Sequence, residues 1–177
     1  QKLAEGRLRA VRKPQEIDVI PRYVKGTVAE VLRRIDETGS SLEAREALAL
    51  DKVWDREVPH LSGGELQKLA VAAALVKDAD VYLFDEPSSY LDVRERLRVA
   101  RAIRRVAESG KYVIVVEHDL AVLDYLCDYV HVLYGEPGAY GIVSLPRSAR
   151  VGINVFLKGF LREENVRFRD YEIRFHV

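Results

Sequence analysis

The sequence of 177 residues contains no methionine, one cysteine (Cys127), one tryptophan and no surplus of charge of either sign. Each shortage excludes something. One cysteine cannot form a disulfide within the chain or hold a cysteine-ligated cluster, and it fits a cytosolic (cytoplasmic) setting. With 28 basic and 28 acidic residues, bulk charge selects no partner. No apolar run approaches the roughly 18 residues of a membrane span, and no signal-like stretch opens the chain. The lack of methionine even at position 1 points to a piece of a larger protein. The length still suffices for one sizeable core, or one core with an appendage.

What is present is uneven. Residues 1–14 carry six charged positions, five of them basic, and Arg94, Arg96, Arg98, Arg101, Arg104 and Arg105 crowd one segment. Such runs are ordinarily solvated faces, with RNA contact as the sharper alternative. Residues 15–77 read as mostly helical. Thr27 with Glu30, and Ser40 with Glu43, have the spacing of capping boxes that open helices over "VAEVLRRI" and "LEAREALAL". Residues 78–145 alternate in type. "VYLF" (81–84) and "YVIVV" (112–116) read as buried strands and "VHVLY" (130–134) as a third strand, separated by helical patterns at 93–110 and 120–129. Strand–helix–strand units of this length predict an α/β fold with a parallel sheet and right-handed crossovers. "GEPGAYG" (135–141) reads as a turn and "IVS" as a last strand. Residues 146–177 show no clear period and read as a hinge-like or packing segment.

One stretch poses a chemical question. In "HLSGGELQKLAVAAALV" (60–76), two glycines occupy the first turn of an otherwise well-built helix, where each costs about 1 kcal/mol relative to alanine. Ser62 and Glu65 have capping-box spacing, which explains those two residues and not Gly63 and Gly64. Removing two side chains there opens the free amides, at the positive end of the helix dipole, to an anion.

In open parallel sheets, ligands gather beyond the carboxyl ends of the strands. "VYLF" runs into Asp85 and Glu86, and "YVIVV" into Glu117, His118 and Asp119. A carboxylate at that edge suits Mg²⁺, which prefers hard oxygen ligands and keeps part of its water. A second can orient or deprotonate an attacking water, and a histidine can donate to a phosphate. The plainer readings are a helix cap for "DEP" and a structural role for the histidine.

Taken in order and spacing, "LSGGELQ", "VYLFDEPSSYLD" and "VVEHDL" resemble the signature motif, Walker B strand, D-loop (Ser89 to Asp92) and switch histidine of ABC-type ATPases. "KPQEID" resembles their Q-loop. Over nearly the whole chain, "IPRYVKGTVAEVL", "LYGEPGAYG" and "RVGINVFLKGFLREENVRFR" narrow the resemblance to the ribosome-recycling factor (RNase L inhibitor) family. That resemblance implies an α/β, RecA-like nucleotide-binding domain, here a partial one with a parallel-sheet core and a helical subdomain. It implies ATP and Mg²⁺, with Glu86 and His118 catalytic and Asp85 and Gln15 at the metal. It places Gln15, Ser62, Gly63, Gly64, Glu65 and Asp92 at nucleotide, the signature residues serving the site of a facing domain. The family carries iron–sulfur clusters, for which this chain holds no ligands.

Departures from the family matter equally. No GxxxxGK[ST] phosphate loop occurs, and the one Gly-Lys pair, Gly110 and Lys111, precedes a strand instead of following one. The expected organisation is therefore a remnant of upstream core or insert (1–14), the Q-loop and helical subdomain (15–77), the Walker B, D-loop and switch-histidine part of the core (78–145), and a hinge (146–177). The expected function is ATP hydrolysis coupled to ribosomal subunit splitting by the complete protein, with the isolated segment inactive. Implied partners are a second ATPase domain or an N-terminal half, the small ribosomal subunit and release or recycling factors, and no membrane. The ATPase subunit of a membrane transporter, and a non-enzymatic interaction module, are the competing readings.

Overall fold

The structure is a computed structural model that describes residues 5, 6 and 8–174. It divides into two units, residues 1–122 and 123–177.

In the first unit, strands β1 (Ala10–Lys13), β2 (Val81–Asp85) and β3 (Tyr112–Val116) form a parallel sheet in the order β1-β2-β3. Register pairs Lys13 with Phe84 and Asp85 with Val116, so all three strands end at one edge. Between β1 and β2 run α1 (Ile20–Tyr23), α2 (Val28–Ile35), α3 (Ser41–Ala47) and α4 (Gly63–Leu75). Helix α5 (Val93–Glu108) connects β2 to β3. Helix α4 packs on β1 and α5 on β3. Leu32, Leu48, Val58, Val71, Phe84 and Ile103 are buried almost completely.

Two capping boxes form as their spacing predicts. The Thr27 hydroxyl accepts from the Glu30 amide at 3.2 Å while Glu30 accepts from the Thr27 amide at 2.9 Å. Ser62 and Glu65 repeat the arrangement at the start of α4. The third does not form: Ser40 makes no side-chain cap bond. The Ser40 hydroxyl meets that of Thr38 at 2.5 Å instead, and Asp36 holds the turn before α3, accepting from the amides of Gly39 and Ser41 at 2.8 Å each, Thr38 at 3.1 Å and Ser40 at 3.2 Å. A carboxylate that gathers several amides fixes such a turn through charge-assisted bonds. Burial pushes the Asp36 carboxyl up, but the amides of Ser41, Thr38 and Ser40 outweigh it and hold it below its usual range. Asp36→Ala is therefore expected to cost about 1–2 kcal/mol in urea unfolding at neutral pH. Because the folded-state value is depressed, that contribution exists above the ordinary aspartate range and disappears as pH falls below it.

The strand reading needs two corrections. "YVIVV" is not covered on both faces: Tyr112, Ile114 and Val116 are 70%, 56% and 51% exposed. They alternate along β3, so one whole apolar face of that strand is open among the described residues. "VHVLY" does not join the parallel sheet. In the second unit its ends separate into β4 (Tyr129–Val130) and β5 (Leu133–Glu136). Strand β5 pairs antiparallel with β6 (Tyr140–Val143) across the predicted turn, and β4 pairs with β7 (Arg147–Ser148). Closing a loop this short costs little entropy, so the local hairpin forms in place of a third crossover. The third strand of the parallel sheet is β1, from the basic opening segment.

Helix α6 (Leu120–Leu126) runs across the division between units. Helix α7 (Ala149–Lys158) and the hairpin of β8 (Phe160–Leu161) with β9 (Val166–Arg167) complete the second. The buried Arg147 guanidinium pairs there with Glu164 at 2.9 Å and Glu163 at 3.4 Å.

Candidate functional site

Parallel register puts the first residues after β1, β2 and β3 side by side. Asp85 closes β2, with Glu86 immediately beyond, and the Glu86 amide donates to the Val116 carbonyl at 2.8 Å. Glu86 has φ +46°, a left-handed backbone that costs a non-glycine residue about 1–3 kcal/mol and persists only where surroundings enforce it. Its carboxylate accepts from the Ser89 hydroxyl at 3.2 Å and lies 3.7 Å from Nδ1 of His118. The imidazole is 75% exposed against 25% for the Glu86 side chain, so the histidine presents its ring outward while the carboxylate is half sheltered.

Neighbouring groups hold this edge in shape. Asp85 pairs with Arg12 at 3.1 Å. Ser88 donates to Glu117 at 2.6 Å, and the other Glu117 oxygen accepts from the amides of His118 at 2.9 Å and Asp119 at 3.1 Å. That fixes the backbone carrying the histidine. Asp119 is bound by Arg96 and by the amides of Ala121 and Val122, which opens α6. Gln15 lies two residues beyond the Lys13–Phe84 pair, at the same edge and exposed.

Two residues here carry no role in the motifs that contain them, Lys13 at the start of "KPQEID" and Gln67 at the end of "LSGGELQ". Lys13, 1% exposed, donates to the Asp85 carbonyl at 2.8 Å and the Glu86 carbonyl at 3.4 Å. Burial pushes its amine down to about 8, against the pull of Asp85, Glu86 and Glu117. Gln67, completely buried on α4, donates to the same Glu86 carbonyl at 2.8 Å. The strand parity of Lys13 and the apolar setting of Gln67 are the only sequence hints that either is buried.

Gly63 and Gly64 lie against Tyr90 of the loop after β2, while Ser62 and Glu65 bond to each other. The Ser62 hydroxyl is occupied by the Glu65 amide at 3.3 Å, and Glu65 by the Ser62 amide at 2.8 Å and by Arg56 at 3.0 Å. A methyl group on Gly64 would stand 3.0 Å from the Tyr90 carbonyl oxygen, whereas one on Gly63 would meet only the Tyr90 ring at 3.6 Å. Close approach of the loop after β2 thus explains Gly64. It leaves Gly63 without a structural reason. Asp92 caps α5, accepting from the Glu95 amide at 2.8 Å. In the arginine-rich helix, Arg96 pairs with Asp119, Arg98 with Glu95 and Arg104 with Glu108, and Arg94, Arg101 and Arg105 are exposed.

The sequence profile described as "ABC transporter" matches residues 5–89. "ABC transporter E family member 1" of Arabidopsis thaliana is 53% identical over 176 residues, covering 99% of this chain and 29% of that protein. A solved "RNase-L Inhibitor" superposes with a TM-score of 0.93 at 62% identity, covering 97% of this chain and 33% of the other. An archaeal ribosome recycling factor, solved in complex with the archaeal ribosomal stalk protein aP1, superposes at 0.95 with 62% identity, over 99% of this chain and 34% of its own. This chain is an ABC-type ATPase segment of the ribosome-recycling factor (RNase L inhibitor) family. It spans about a third or less of the length of these relatives.

ABC-type ATPases bind nucleotide with Mg²⁺, and the donors at this edge are compatible with that ion. Asp85 offers a carboxylate and Gln15 an amide oxygen, both hard donors. No group of three or more His, Cys, Asp or Glu able to hold a metal occurs among the described residues. Mg²⁺ characteristically takes one or two protein ligands and completes its shell with water and phosphate oxygen. No helix among the described residues is long and apolar enough to cross a membrane.

Proposed function

We propose that the protein containing this chain hydrolyses ATP and uses the closure of two facing ATPase domains to split ribosomal subunits in the cytoplasm. The observation that carries the reading is the Glu86 carboxylate, set between Ser89 and His118 at the carboxyl edge of the sheet. Hydrolysis is in-line transfer of a phosphoryl group to water, so positioning and charge stabilisation supply most of the catalysis. Glu86 orients the water and draws its proton. His118, exposed and anchored through its backbone to Glu117, donates to the γ-phosphate. Asp85 and Gln15 would hold Mg²⁺, which would supply positive charge toward the phosphate oxygens. Ser62, Gly63, Gly64 and Glu65, with Asp92 in the adjoining loop, present their edge to nucleotide held by the facing domain.

The phosphate loop comes, in this reading, from an N-terminal half of the same ATPase core, for which the open Tyr112, Ile114 and Val116 face is a fitting surface. Without such a loop the amides and lysine that cradle β- and γ-phosphates are missing. The isolated 177-residue chain is therefore expected to show no micromolar MgATP binding in calorimetry and no ATPase activity. Micromolar binding would refute the assignment of phosphate contacts to other segments. For the ribosomal role, the full-length protein is expected to co-sediment with small ribosomal subunits when ATP is present. Co-purification with a membrane permease instead would favour transport.

A further inference from the structure

The strained backbone at Glu86 is held by groups to which the motif reading assigns no role, although Lys13 opens "KPQEID" and Gln67 closes "LSGGELQ". Its amide is bonded to Val116 on β3, and its carbonyl receives Gln67 from α4 and Lys13 from β1. Lys13 also holds the preceding carbonyl, that of Asp85. Three separate elements thus converge on one dipeptide. We propose that Lys13 and Gln67 are positioning residues for Glu86, pinning the Asp85 and Glu86 carbonyls so that the Glu86 carboxylate stays beside His118. The proposal rests on the reading of Glu86 as the water-orienting group.

Energetics argue against simple space-filling. A buried strand position and a fully buried helix position are filled most cheaply by Val, Ile or Leu. An ammonium and an amide there must recover their desolvation through bonds. Lys13 recovers it by charge-assisted bonds to two carbonyls, in reach of the Asp85, Glu86 and Glu117 carboxylates, with Arg12 beside it on the strand. Gln67 recovers only part, because its Oε1 atom is buried without a partner. A half-satisfied amide is poor stabilisation, so its retained bond is the one to Glu86. Gln67 also lies one turn beyond Gly63 and Gly64, so the helix that opens on the signature glycines is tied directly to the Glu86 backbone.

The test uses the full-length protein with Lys13→Met, which keeps the aliphatic stem, and Gln67→Leu, which keeps most of the volume. Each is made alone and combined with Glu86→Gln, and read by kcat, KM, Tm and single-turnover rate. Each single variant is expected to lose about 10-fold or more in kcat, as small misplacements of a reacting group do, with KM for ATP near the wild-type value. Neither should slow the residual single-turnover rate of Glu86→Gln further, because the carboxylate they position is already gone. Unchanged kcat overturns the proposal, and so does a loss that multiplies with that of Glu86→Gln. If Lys13→Met fails to fold, Gln67→Leu decides alone, and failure of both to fold overturns the proposal in favour of a purely structural clamp. Wild-type hydrolysis by Glu86→Gln itself would instead remove the underlying reading of Glu86.

Discussion

Glu86→Gln in the full-length protein is expected to slow ATP turnover by about 100-fold or more, the range in which a positioned general base contributes, while ATP still binds. Glutamine keeps the size and can still meet Ser89, so the turn after β2 should survive with its bonds from Lys13, Gln67 and the Val116 carbonyl. What is lost is the negative charge that, in the proposed reaction, draws the proton from the attacking water. The measurement pairs steady-state hydrolysis with equilibrium ATP binding and Tm. Binding retained with turnover abolished is the expected combination. Hydrolysis at the wild-type rate would take Glu86 out of the reaction.

The second large effect concerns Gly63. Its position tolerates a methyl group within the chain, since the nearest atom is a Tyr90 ring carbon at 3.6 Å, an ordinary contact. Replacing glycine by alanine in a helix also adds up to about 1 kcal/mol of stability. Gly63→Ala should therefore fold normally, with Tm unchanged or raised. If the amides at the start of α4 receive the nucleotide of a facing domain, the same methyl group stands in its path. Turnover should then fall about 100-fold, the order seen when a backbone donor is lost from a charge-stabilising site. Stability and activity moving apart is the informative result, and full activity in Gly63→Ala would show that these amides touch no phosphate. Gly64→Ala cannot separate the two effects, because its added carbon would press on the Tyr90 carbonyl oxygen at 3.0 Å.

Much of the site's layout was legible without coordinates, for a definite reason. Asp85 and Glu86 follow one apolar run, and His118 another, and parallel strands joined by a crossover end at the same edge. Sequence order then becomes spatial adjacency. The capping boxes at Thr27 and Ser62 are equally local, each closing over three residues. Where an expectation failed, a different local contact won. Asp36 fixed the turn that carries Ser40, whose hydroxyl meets Thr38 and leaves the expected cap unmade. The turn at 135–141 drew the segment after it back onto β5, away from the parallel sheet.

By itself, then, the order of residues along this chain determined which functional groups exist, which strand ends carry them, and which helices open with bare amides. Those properties follow from period, capping and crossover handedness within about 30 residues of chain. Only the tertiary structure decided that the opening basic segment supplies a strand of the core, and that Tyr90 explains one glycine and leaves the other unexplained. It alone brought Lys13 and Gln67, 54 positions apart, onto the carbonyl of Glu86. Buried polar groups satisfy their bonding wherever the fold brings a partner within reach, and no pattern along the chain records which partner that is.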